Sequence, residues 1–219
     1  MPASELTLQL LGGPSGGPAG GLSGGAAGSL SGGEQAAELE ALHAEVYRTL
    51  PYAGDLDPGR LAGRFGVQCR QPGFVLAVAR SGGYLIGCAT GLPLRPSTSW
   101  WRGLTAPLAD DVTAEPPGRT FALLELMVLA SWRRQGIGRS LHDLILSARP
   151  EERATLVVPQ GAAAAQAAFQ RWGWRKVART RSPSPQARAC DLLVLDLGED
   201  AGPADDLPAL PAPDQRGDH

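Results

Sequence analysis

Apolar and polar positions alternate over 5–11 (ELTLQLL), the period-2 pattern of a half-buried strand. The next apolar stripe has a helical period: Leu39, Leu42, Val46 and Leu50, preceded by Ser31 and Glu34 at capping-box spacing and ended by Pro51. His43 and Tyr47 lie close to that stripe, with His43 expected as a satisfied, partly buried side chain. A shorter helix is expected over Pro58–Gln68. Two apolar runs, 74–80 (FVLAVAR) and 84–92 (YLIGCATGL), are joined by Ser-Gly-Gly and read as a hairpin. Residues 121–129 (FALLELMVL) are apolar on both faces, as expected of a central strand covered from each side. Ile137, Leu141, Leu144, Ile145 and Ala148 then form one face of a helix followed by Pro150. Beyond it the pattern predicts a strand at 154–159, an alanine-rich helix over Ala162–Trp172 capped by Gly173, and strands at 175–180 and 191–197. This order describes one mixed α/β domain over residues 3–197.

Three stretches carry no such pattern. Half of the residues from Gly12 to Gly33 are glycine, which cannot build a core and reads as a flexible insertion. The proline-rich stretch 93–120 holds Trp100 and Trp101 together with Asp110, Asp111 and Glu115. Long loops in compact domains are functional more often than short ones, so this one is expected to be a substrate-facing flap, with a packed surface loop as the alternative. The tail, 198–219, is acidic and proline-rich, a composition expected to be disordered.

A net charge of −2 gives neither a nucleic-acid nor a membrane-surface footprint. Residues 1–11 lack the basic start and unbroken apolar stretch of a signal peptide, so a cytoplasmic protein is expected. Cys69, Cys88 and Cys190 are far apart and have no CxxC spacing; with only His43, His142 and His219 available, no metal site is expected.

The chemistry concentrates in Arg133–Leu141 (RRQGIGRSL), two glycines between a buried strand and an amphipathic helix. A helix's first turn has unpaired N–H groups and a partial positive charge, so an anion binds there if no side chain holds it away. A Walker loop would need a lysine that is missing, and a dinucleotide fingerprint would need glycine or alanine where Leu141 stands. Arg-x-x-Gly-x-Gly, here Arg133, Gly136 and Gly138, fits. Glu125 is the one charged residue in its apolar strand, where a carboxylate is costly unless paired or used. It either meets an arginine or a backbone edge, or serves in catalysis or amine binding.

The stretch ELMVLASWRRQGIGRSLHDLIL resembles the acetyl-CoA-binding motif of the GNAT superfamily of N-acetyltransferases, and VVPQGAAAAQAAFQRWGWRKV resembles that family's second cofactor segment. More narrowly, the string is similar to actinobacterial members. The resemblance implies a mixed, mostly antiparallel sheet of six or seven strands with helices on both faces and splayed central strands, 121–129 and 154–158. It implies that backbone around Met127, Val128 and Leu129 pairs with the pantetheine arm and polarises the thioester carbonyl. Arg134, Gln135, Gly136, Ile137, Gly138, Arg139 and Ser140 would hold the pyrophosphate, with Arg133 adding charge and Phe169 lining the cofactor site.

It further implies direct attack by a primary amine of a small molecule or peptide, with Glu125 as base and Trp100, Trp101 and Glu115 on the acceptor side. His142 is expected to be structural. Pairing into a homodimer is common in the family. Many members carry a tyrosine as general acid where this chain has Phe169, and an asparagine near Gln160 and Gly161. Unassisted thiolate departure, Tyr84, Tyr47 or a water would replace the acid. The alternative is an acyl-CoA-binding module with little catalysis.

Overall fold

The computed structural model describes residues 6–12, 33–48, 65–147, 149–181 and 189–198. The capping-box serine, Leu50, most of the glycine-rich insertion, the start of the second expected helix, Ala148 and the tail from 199 lie outside these residues. Of that second helix the described part, 65–68, is helical.

Seven strands form one sheet: β1 (Leu6–Gly12), β2 (Val75–Ser81), β3 (Tyr84–Pro93), β4 (Thr120–Val128), β5 (Arg153–Pro159), β6 (Arg175–Arg181) and β7 (Ala189–Asp196). Their order is β1-β2-β3-β4-β5-β7-β6, and every neighbouring pair is antiparallel except β4 with β5. The expected mixed, mostly antiparallel sheet is therefore present. Gly82 and Gly83, at φ 56° and 85°, close the β2–β3 hairpin in the doubly left-handed geometry that matches strand twist.

Besides the helical stretch 65–68, the described fold contains helices α1 (Gly33–Arg48), α2 (Asp110–Thr113), α3 (Ile137–Leu146) and α4 (Ala163–Arg171). On one face, Ile137, Leu141 and Ile145 of α3 and Phe169 of α4 pack with Phe121, Leu123, Leu156, Val158 and Leu193. On the other, Leu39, Leu42 and Val46 of α1 bury against Leu76, Val78, Cys88 and Met127. A third cluster covers β6 and β7 with Trp100, Trp101, Leu104 and Leu108 of the 94–119 flap. No helix among the described residues is long and apolar enough to cross a membrane.

Two irregularities shape the middle of the sheet. Thr90 pairs with Glu125 and Gly91 with Leu123, which leaves Leu124 as an extra residue on β4. Phe121 and Leu123 face the α3/α4 cluster, whereas Met127, after the bulge, is buried in the α1 cluster. Strict alternation would have kept all three, and Glu125, on one face. Gly91 permits this crowding, since a Cβ there would run into the Phe121 ring and stand 2.7 Å from the Ala122 carbonyl oxygen.

The second irregularity is that β4 and β5 pair only through Thr120–Arg153, Phe121–Ala154 and Ala122–Thr155. Beyond these, β4 stays with β3 and β5 stays with β7 along their lengths, so the sheet opens as a wedge.

Candidate active site

The wedge is a cleft of about 350 Å³. Residues 123–128 and 156–159 form its two walls, Ala162, Ala165, Ala168 and Phe169 close the α4 side, and Val46 and Tyr47 reach in from α1. Its strand edges carry backbone N–H and C=O groups that a continuous sheet would have paired.

At the mouth of the wedge, β4 runs through a short 3₁₀ turn, Ala130–Trp132, into the glycine loop. Arg133 Nε donates to the Val128 carbonyl at 3.0 Å, tying the loop back to the end of β4. Arg134 at φ 64° and Gly136 at φ 83° both take the left-handed conformation, which turns the chain into α3. No side chain caps α3, so its first-turn N–H groups remain available to a ligand. A Cβ at Gly136 would meet nothing within 4 Å, and one at Gly138 only ordinary contacts with Val128 and Trp172. The protein's own packing leaves this cradle open, as binding of a phosphate group there requires. Arg134, Gln135 and Arg139 are exposed around it; Gln135 donates to Ser131 O, and Arg139 is held by Asp143 and lies over the Trp172 ring. Ser140 donates its hydroxyl to Gly136 O. Met127 and Val128 line the cleft with their neighbours, and Leu129 continues the pairing with β3 by donating its N–H to Ile86 O.

Glu125 lines the cleft, and the Tyr47 hydroxyl donates to its Oε2 at 3.0 Å. The Leu124 bulge makes this contact possible by turning Glu125 to the α1 face. Tyr47 in turn stacks on His43, their ring centroids 4.0 Å apart. Across the strand, the Thr90 side chain is buried beside Glu125. Burial first, and the Glu125 carboxylate second, push the Cys88 thiol far above its ordinary range, so it is a neutral packing group and not a nucleophile.

The three acceptor-side candidates do not line the cleft. Trp100 Nε1 donates to Thr155 Oγ1, and Trp101 Nε1 donates to Glu115 Oε1. Glu115 Oε1 also accepts from Thr120 Oγ1 at 2.8 Å and from Arg153 Nη2 at 2.9 Å, in a buried ion pair that fastens the flap to β4 and β5. Sequence reasoning missed Arg153, a cation at the start of a buried strand, whose position beside an apolar run was the available signal.

His142 is buried on α3 and accepts from Trp174 Nε1 through Nε2 at 2.9 Å. The ring proton therefore sits on Nδ1 and is donated to Asp143 Oδ1. Burial lowers its pKa against the opposing pull of Asp143. Phe169 is buried edge-on to Trp172 and Trp174, with no hydroxyl to offer the cleft. Tyr84, at 79% exposure on the hairpin, is outside the lining, whereas Tyr47 is part of it.

The profile of the acetyltransferase (GNAT) family matches residues 39–174. The chain belongs to this GNAT acetyltransferase family. No protein of curated function matches it. Among solved structures, this GNAT chain is similar to NAA60 of Arabidopsis thaliana in complex with acetyl-CoA, at 16% identity and TM-score 0.58 over 88% of this chain and 99% of that one. It is also similar to the ribosomal-protein-S18-alanine N-acetyltransferase of Escherichia coli, at 15% identity and TM-score 0.53 over 90% and 98%. A third similar structure is an N-acetyltransferase of Staphylococcus aureus Mu50, at 13% identity and TM-score 0.56 over 89% and 100%. These likenesses establish a shared fold. The matched residues contain α1 from Leu39 onward, the wedge, the glycine loop and α4.

Proposed function

We propose that the protein is an acetyl-CoA-dependent N-acetyltransferase acting on a primary amine of a small molecule or peptide. The observation that carries this reading is the open wedge between β4 and β5, with an uncapped helix start at its mouth and a carboxylate on its wall. Acetyl-CoA, the acyl donor substrate, supplies an activated thioester. The N–H groups between Arg134 and Arg139 receive its pyrophosphate, and the cleft-facing edge of β4 around Met127 and Val128 receives its pantetheine amides. A β4 N–H polarises the thioester carbonyl where negative charge develops in the transition state.

Glu125 takes a proton from the acceptor's ammonium, and the amine nitrogen then attacks the carbonyl carbon. A C–N bond forms, the C–S bond breaks and the electron pair leaves on sulfur; the nitrogen passes its second proton to water, and the sulfur takes up one proton from water, which leaves the amide and the free thiol. Tyr47 holds Glu125 by its hydrogen bond and is a positioning residue. Much of the rate comes from bringing the two substrates together in the wedge.

Phe169 favours a second reading, an acyl-CoA-binding module, because the position offers no proton to a leaving thiolate. Calorimetric titration with acetyl-CoA, followed by CoA thiol release across a panel of amines, separates the two. Turnover supports the transferase; binding with no turnover across the panel supports the module. Gly136→Glu places a carboxylate in the cradle and is expected to abolish acetyl-CoA binding under either reading. Retained binding would remove the pyrophosphate from this loop.

A further inference from the structure

The 94–119 flap lines no part of the cleft, yet it reaches both halves of the divided sheet. It leaves β3 after Pro93 and crosses to β6, where Leu104 bridges Thr180 and the Thr105 N–H donates to Arg179 O. It then returns to β4 at Thr120. On the way its side chains bond to the junction at which β4 and β5 are still paired. The first of the three pairs, Thr120–Arg153, is joined a second time by Arg153 Nε donating to Thr120 Oγ1 at 2.8 Å. Glu115 Oε1 accepts from both members of that pair, and Arg153 Nη2 also donates to Val112 O at 2.8 Å. The Arg153 guanidinium lies over the Trp101 ring, 5.1 Å from its centroid. At the third pair, Ala122–Thr155, Trp100 Nε1 donates to Thr155 Oγ1 at 3.1 Å, and that hydroxyl donates to Leu193 O of β7.

The flap thus braces both outer pairs of the junction and packs on β6 and β7 beyond it. Three parallel pairs are a short junction, and parallel pairing is the weaker kind. Unbraced, it would let β4 and β5 take a range of separations past Ala122 and Thr155. A donor lying between the two walls fits one of these, and its apparent affinity falls with the fraction of molecules that hold it. We infer that Trp100, Glu115 and Arg153 are positioning residues for the donor, which hold the two halves of the sheet at the separation that receives it. The inference rests on the acetyltransferase reading and gives the flap a part in donor binding without contact with the donor.

Trp100→Phe removes the bond to Thr155, keeps an aromatic ring and leaves Thr155 Oγ1 its bond to Leu193 O. It is expected to weaken acetyl-CoA binding in calorimetry about two- to fivefold, within the worth of one hydrogen bond. With any amine that is turned over, KM for acetyl-CoA should rise by the same factor at unchanged kcat. Amide hydrogens of 120–122 and 153–155 should exchange faster than in the unaltered protein, while those of β2 and β3 keep their rates. Should this variant not fold, Thr155→Val, of the same shape, removes the acceptor instead and is expected to act alike. A folded variant with a lower melting temperature but unchanged acetyl-CoA affinity overturns the inference, because the flap is then packing alone. Unchanged exchange at the junction overturns it without any donor present. Failure of the unaltered protein to bind acetyl-CoA overturns the acetyltransferase reading itself.

Discussion

Glu115 and Glu125 are carboxylates ten positions apart in the chain, in largely apolar surroundings, and they have opposite fates. The Glu115 side chain is 1% exposed and bonded to Arg153, Thr120 and Trp101, so it holds the flap against the sheet. Glu125 stands on the wall of a cleft with the Tyr47 hydroxyl on one oxygen. Closure around a guanidinium makes a carboxylate a structural part. Glu125 stands instead on the wall of the wedge, where we propose that it acts as the base.

The comparison can be broken at either end. Replacing Glu125 with Gln is expected to lower kcat by about a hundred- to ten-thousandfold, with acetyl-CoA binding and thermal stability retained. Retained kcat would move the base elsewhere. Glu115→Ala leaves the Arg153 charge buried without its partner, and is expected to cost about 3–5 kcal/mol in denaturant unfolding. If it instead preserves stability and abolishes turnover, Glu115 belongs with the chemistry. Tyr47→Phe removes one hydrogen bond to a charged group, worth about 1.5–3 kcal/mol, so kcat should fall roughly ten- to hundredfold while acetyl-CoA affinity stays constant.

The smallest expected effect comes from a third ionisable group, which is buried. The pKa of His142 is lowered by burial, so the folded protein prefers the neutral ring. Its contribution to stability is fully present above the unfolded value of about 6.5 and is lost as pH falls through the lower folded value. The slope is at most about 1.4 kcal/mol per pH unit. Urea unfolding from pH 7.5 to 5 measures it, and His142→Gln should flatten the part due to this ring.

Much of this arrangement was legible in the sequence where periodicity was strong. The α1 stripe at Leu39, Leu42 and Val46, the glycine-turned hairpin and the α3 face all appear at the expected places. The glycine loop was legible because its local geometry, strand then turn then helix, is written in adjacent residues. The Leu124 bulge was not. From Phe121 to Leu129 apolar side chains suit either face, so a slip of one residue leaves no mark in the pattern. The Tyr47–Glu125 contact joins residues 78 positions apart and depends on that slip. The tryptophans and acids of the flap stood out as unusual, but their use was set by Arg153, which the flap's own sequence does not contain.

The wedge also ties the fold's cohesion to its occupancy. Three residue pairs join β4 to β5, and each strand is otherwise anchored to a different neighbour. The two halves of the sheet thus behave as covers of a book bound at one end of the spine. A ligand whose amides bridge the open edges would act as extra stitching. Amide hydrogens facing the cleft on 123–128 and 156–158 should exchange quickly in the free protein and slowly once the donor is bound. Melting temperature should then rise with donor concentration, because a ligand that binds only the folded chain draws the unfolding equilibrium toward it.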